Sequence, residues 1–186
     1  MALTYFIKPE VLNEEYIEED QDLPQIQKDL AKVYELIEKS RFNSAIKCLD
    51  AVIKKHGNQF EWQLLQFKLL KNQKNPAYKE SIIKLITMDR LKPHETDKLI
   101  KVWQSIGDEH SEINSNDLYK FGWNLSNNTH YETAERIFAQ LYHEKDKHPN
   151  LGMYAKKLSV IFGKLKNNDK KQQYELVSTE LIQELK

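Results

Sequence analysis

Glycine, proline, cysteine and arginine are all scarce in this 186-residue chain, and each shortage excludes something. No two of the five glycines lie within ten residues of each other, so no glycine-rich loop is available to cradle a phosphate. Five scattered prolines, few turn dipeptides and no strict apolar–polar alternation exclude a strand meander. The one cysteine, Cys48, cannot form an internal disulfide and points to a reducing compartment. It falls on an apolar stripe between Ala45 and Val52 and reads as a buried, inert thiol. Three arginines (Arg41, Arg90 and Arg136) offer few guanidinium forks for phosphates or bases. An isoelectric point near 7.0 likewise argues against nucleic acid as a partner. No run approaches the ~20 apolar residues of a membrane span. The first residues lack a basic segment and are broken by Pro9, so a signal peptide is not expected and the expected location is cytoplasmic.

What the chain does contain is helical periodicity. Apolar residues recur at spacings of three and four, which predicts helices near 24–39, 42–56, 59–73, 77–91, 94–106, 116–127, 130–145, 151–166 and 169–185. Gly57 and Gly107 stand where helices should stop, and Pro24, Pro76, Pro93 and Pro149 where they should start. Connections this short make consecutive helices antiparallel neighbours. The expectation is an all-α chain.

Its net charge is zero but unevenly placed. Residues 1–23 hold seven acids against Lys8, leaving 27 basic and 21 acidic residues in the remainder. The division expected is an acidic, flexible arm over 1–23 and a helical domain over 24–186. The arm's sign suits it to lie across a basic groove.

The helices fall into pairs. Phe42 and Tyr78 open the second helix of two successive pairs, 36 residues apart, and Tyr131 opens another 53 residues later, so the helix near 94–106 interrupts the array. Leu118-x2-Phe121-Gly122-x2-Leu125, followed by Tyr131, Ala134 and Phe138, resembles a tetratricopeptide repeat. Weaker likenesses run through Leu30, Val33, Ile37, Phe42, Ala45 and Leu49, and through Trp62, Leu65, Leu69, Tyr78, Ser81 and Leu85. The resemblance implies antiparallel pairs stacked as a short right-handed solenoid. It also supplies a reason for a glycine inside a helix, where it is worse than alanine by about 1 kcal/mol: Gly122 and Ala134 would face each other at a close helix crossing. Gly152, near a helix start, should by contrast tolerate alanine. The segment after Asn168 puts Tyr174, Val177, Leu181 and Leu185 on one face and reads as a terminal cap.

No constellation for catalysis, cofactor or metal emerges, and the chain reads as a non-enzyme. In "HEKDKH" the histidines His143 and His148 are five apart, about 140° around a helix, which is too far for joint ligation from one face. "DEHSE", from Asp108 to Glu112, reads as a solvated turn. Recognition remains. If the resemblance holds, the first helix of each pair lines a groove, and the residues turned away from the second helix face a ligand. Those would be Asn116, Tyr119, Trp123 and Asn127, with Lys156 and Lys164 on the last pair and Gln63, Gln66 and Gln73 on the second. Aromatic anchors ringed by amides and lysines suit a protein or peptide with some acidic character. The implied function is a protein-binding adaptor. An accessory subunit docked on an enzyme or membrane complex, and a helical-repeat RNA binder, stand as alternatives.

Overall fold

The computed structural model describes residues 24–107, 113–144 and 150–183. The acidic arm, the "DEHSE" segment, Pro149 and His148 lie outside the described residues. Among those described there are nine helices and no strand: α1 (Gln25–Glu38), α2 (Phe42–His56), α3 (Phe60–Asn72), α4 (Tyr78–Ile86), α5 (Pro93–Ile106), α6 (Ser115–Asn127), α7 (Tyr131–His143), α8 (Leu151–Lys164) and α9 (Asn168–Gln183). Phe42, Tyr78 and Tyr131 are each the first residue of their helix, as the spacing predicts. Gly57 and Gly107 close α2 and α5 with positive φ. Pro93 opens α5, where its missing N–H leaves no bond unmade, and the Glu95 carboxylate accepts from the Lys92 N–H at 2.7 Å. α4 ends five residues before the predicted 91, because the chain turns through Arg90 at φ 57° and buries Leu91.

Two compact units divide between Gly57 and Asn58. In the first, α1 packs on α2. The second is a sequential stack: α3 on α4, α4 on α6, α6 on α7, α7 on α8 and α8 on α9. Its core runs from Phe60 and Leu64 through Leu85, Leu99 and Phe121 to Phe138, Leu158 and Phe162. α5 enters this core through Leu99, Val102, Trp103 and Ile106, with the Trp103 ring 4.8 Å from that of Phe121. Lys98 binds the Glu61 carboxylate at 2.7 Å, Lys71 donates to the Ser105 carbonyl at 2.9 Å, and His130 meets Asp97 at 3.4 Å, so α5 is tied to α3 and to the start of α7.

The repeat is written most clearly in the turns. α1, α3, α6 and α8 each end in the same closure. Ser40, Lys74, Thr129 and Lys166 adopt positive φ of 55°, 52°, 67° and 58°. The next N–H in each case (Arg41, Asn75, His130 or Asn167) donates back five residues, to Leu36, Leu70, Leu125 or Phe162, at 2.8–3.0 Å. That is the Schellman closure, which satisfies carbonyls left open at a helix end. In three of the four, the following helix begins at the very next residue; in the α3–α4 pair Pro76 and Ala77 intervene. The first helix of every pair therefore ends alike, without glycine.

The close crossing predicted at Gly122 is present, with a different partner. A Cβ on Gly122 would lie 3.0 Å from Cε2 and 3.1 Å from Cζ of Phe138, and 3.3 Å from Cγ2 of Ile137. The Phe138 ring, one turn beyond the fully buried Ala134, takes the space expected for alanine. The expectation for Gly152 is reversed: a Cβ there would meet Ile182 Cγ1 at 2.9 Å and Leu181 Cβ at 3.4 Å, so the first turn of α8 lies against the end of α9. Gly122→Leu should lower stability by about 1–3 kcal/mol through overpacking. Gly152→Ala should also lower the melting midpoint, because the clash outweighs alanine's better helix propensity. A rise on Gly152→Ala would show that α9 yields freely.

Within α1–α2, Asp29 pins the two helices. Lys55 donates to its carboxylate at 2.8 Å, His56 lies at 2.9 Å, and Gln25 donates to the other oxygen at 2.8 Å. The bonds from Lys55, then His56 and Gln25, hold the Asp29 carboxyl well below the usual carboxylate range. Since the folded value lies below the unfolded one of about 3.9, this contribution is present above about pH 4 and is lost as pH falls towards the folded value. Asp29→Asn should therefore lower the melting midpoint at pH 7, with the gap from the parent closing as pH drops below about 4 in a thermal-melt series.

Candidate protein-binding face

α6 and α8 meet side chain to side chain, in parallel register. Tyr119 of α6 meets Tyr154 of α8 with ring centres 6.0 Å apart, and four residues on, Trp123 meets Lys157, three residues beyond Tyr154. The Lys157 Nζ sits 3.4 Å from the centre of the Trp123 ring. Tyr119 is half-buried, its ring edge-on to Phe138 at 5.6 Å, so the Gly122 crossing also seats this tyrosine. Burial pushes the Tyr119 and Tyr154 phenols up. It pulls the Lys157 ammonium down, with the adjacent Lys156 charge adding to the effect.

Trp123 keeps 42% of its surface exposed, an unusual amount for an indole in a helical stack. Beside it lies a hollow of about 180 Å³ lined by Asp89, Tyr119, Lys120, Trp123 and Asn124. The wall is fixed where the Asn124 amide donates to the Met88 carbonyl at 2.8 Å, tying α6 to the turn after α4. Along α8, Met153 (37% exposed) and Val160 (51%) alternate with Lys157 and Lys164 at helical spacing, an apolar and basic stripe on one side of the rod.

Of the residues singled out from sequence, Tyr119 and Trp123 come together at the hollow. Asn116 and Asn127 are exposed along the same helix, and Lys156 and Lys164 are exposed on α8. The second-pair amides do not share this exposure. Gln63 and Gln66 are buried, and Gln73 is the exposed residue that ends α3. The reason is that α3 buries nine of its thirteen residues and leaves outside only a narrow strip along Glu61, Lys68 and Asn72. Sequence reasoning missed Lys157, Lys120, Met153 and Val160. The spacing Met153–Lys157–Val160–Lys164 would have found three of them had the stripe been counted from α8's apolar residues rather than from Lys156.

The terminal helix seals α8 in part. Tyr174 stacks on Phe162 at 5.5 Å and meets Tyr142 edge-on at 5.5 Å. Leu176 (66%) and Ile182 (40%) stay exposed. Cys48 is half-buried. Among the described residues no group of three histidines, cysteines or carboxylates is placed to hold a metal, and no helix is long and apolar enough to cross a membrane.

Trp62 and Trp103 are buried, so quencher reaching indole from solvent reports Trp123. Iodide, drawn by the neighbouring lysines, should quench the emission more than caesium does. Lys157→Met should narrow that difference and raise quenching by neutral acrylamide, because the ring loses its cover. Equal quenching by iodide and caesium in the parent would contradict a basic surround.

No family model matches the chain. No curated protein matches it. A solved structure described as "MamA MSR-1 C2" is 12% identical, covering 90% of this chain and 83% of that one, with a TM-score of 0.40. A likeness that slight carries neither family nor function, and the architecture rests on the helices, turns and packing of the chain itself.

Proposed function

We propose that this chain is a non-catalytic helical-repeat module of tetratricopeptide type that binds a protein or peptide partner along the α6–α8 face. The observation that carries the reading is the exposed Trp123 under Lys157, flanked by Met153 and Val160 on a neighbouring rigid helix. Rigid aromatic side chains at the centre of a mixed apolar and charged patch are the usual anchors of interfaces. The four identical helix endings support a repeat, and the Gly122 crossing between α6 and α7 supports its tetratricopeptide type. The residues of the groove are then Asn116, Tyr119, Trp123 and Asn127 with Lys156 and Lys164, to which Lys157 and Lys120 are added.

A second reading has its own observation. Leu176 and Ile182 on α9 are apolar and exposed, which suits a subunit docked by its last helix on a larger complex. Affinity capture from native extract separates the two. Trp123→Ala should abolish partner capture with helicity and melting close to the parent, while Leu176→Ala leaves capture intact. The opposite pattern would transfer the interface to α9, and unfolding of Trp123→Ala would place the indole's role in stability.

A further inference from the structure

α8 carries Lys156, Lys157 and Lys164 and no acidic residue, and α6 adds Lys120 at the hollow. Of the acids on these elements, Asp89 lines the same hollow, and the Asp117 carboxylate is engaged at the start of α6, where it accepts from the Asn114 amide. Between the lysines stand Met153, Val160 and the indole of Trp123. An occupant of this face must answer positive charge at intervals of about one helical turn and cover apolar surface between.

The geometry points to an acidic protein segment bearing an aromatic or branched aliphatic anchor as the occupant of the α6–α8 face, its carboxylates on Lys156 and Lys157 and its anchor on the Trp123 ring. This rests on the reading of that face as a protein-binding surface and narrows it to one chemistry. Lys157 is the moving part. In the free protein its ammonium lies over the indole, crowded by Lys156 and partly desolvated. A carboxylate offers it a charge-assisted hydrogen bond, stronger than the attraction of a half-exposed ring. The flexible four-carbon stem lets the ammonium swing to that partner, which uncovers the indole for the anchor. Apolar and acidic parts of the ligand are thereby coupled: the acid draws off the cation that shields the apolar site. Nucleic acid fits the same surface less well. Met153 and Val160 cannot stack on bases, and the basic residues of the face are lysines with no arginine fork for phosphate.

The test is an immobilised array of random, capped short peptides probed with the full chain. Selected peptides are then titrated against Trp123 emission. Bound sequences should be enriched in Asp and Glu together with Phe, Tyr, Leu or Ile. A selected peptide should bind at least about tenfold more tightly than its version with acids replaced by amides. Lys156→Glu combined with Lys157→Glu should erase that preference, and Lys157→Met should leave the amide version's affinity unchanged or raised. If the amide version binds as well and still perturbs Trp123, acid selectivity is wrong while the face remains a peptide site. If no captured peptide depends on Trp123, both readings fall. Stronger perturbation of Trp123 by a single-stranded RNA oligomer, or by phosphatidylserine vesicles, than by any peptide would assign the basic stripe to that class and overturn the proposal.

Discussion

The left-handed residue that closes α1, α3, α6 and α8 sets the geometry of everything that follows it. Ser40, Lys74, Thr129 and Lys166 each reverse the chain within two residues of the helix end, with a backbone bond reaching back five positions. An L-residue there is disfavoured by about 1–2 kcal/mol. The two carbonyls satisfied, and the apolar faces brought together by the reversal, offset that penalty. Because the turn is so short, the second helix of a pair has little freedom in where it starts or which face it presents. Phe42, Tyr131 and Asn168 follow the closure at once, so the rotation of α2, α7 and α9 about their own axes is set by backbone before any side chain packs.

The crossing at Gly122 builds on that constraint. With the ring of Phe138 lying on α6 where a Cβ would be, α6 cannot rotate without forcing the ring out, and Phe138 is fully buried. Leu118, Phe121 and Leu125 are thereby turned to the core, Tyr119 is held edge-on against Phe138, and Trp123 is left outside. The exposed indole is thus a consequence of helix packing one residue away, at Gly122. An apolar group that the fold itself puts into water, next to a cation that partly shields it, is the feature on which the functional proposal stands.

How much of this was legible beforehand follows from which physical signal each feature leaves. The α6–α7 pair was readable because a glycine in a helix and aromatic residues at fixed offsets are rare enough to mean something. The helix starts at Phe42, Tyr78 and Tyr131 were readable for the same reason. The repeated closure was not, since sequence signals for a left-handed residue lean on glycine or asparagine, whereas Ser40, Lys74, Thr129 and Lys166 are held there by the helices on either side. Gln63 and Gln66 are polar without facing solvent, because the exposed strip of α3 is narrow and runs along Glu61, Lys68 and Asn72 instead. Lys157 lies one residue beyond Lys156, which on a helix is about 100° of direction, so counting from Lys156 passes over the cation that sits on Trp123. The constraint at Gly152 was invisible because its neighbour Ile182 is thirty positions away in sequence, and nothing local announces it.

α8 is held at both ends. Its first turn lies against Ile182 through the bare backbone of Gly152, and near its other end Phe162 is stacked on Tyr174. A rod clamped at two points does not bend or twist to meet a ligand. In the association proposed, the ordering entropy would therefore fall on the side chains of Met153, Lys156, Lys157 and Val160 and on the incoming segment, and very little on the backbone that carries them. A surface of this kind discriminates by side-chain reach and leaves the folding of the complex to its partner. A disordered segment docking as proposed would give up its freedom on such a template, so its complex would have modest affinity for its area and would dissolve readily when its charges are screened.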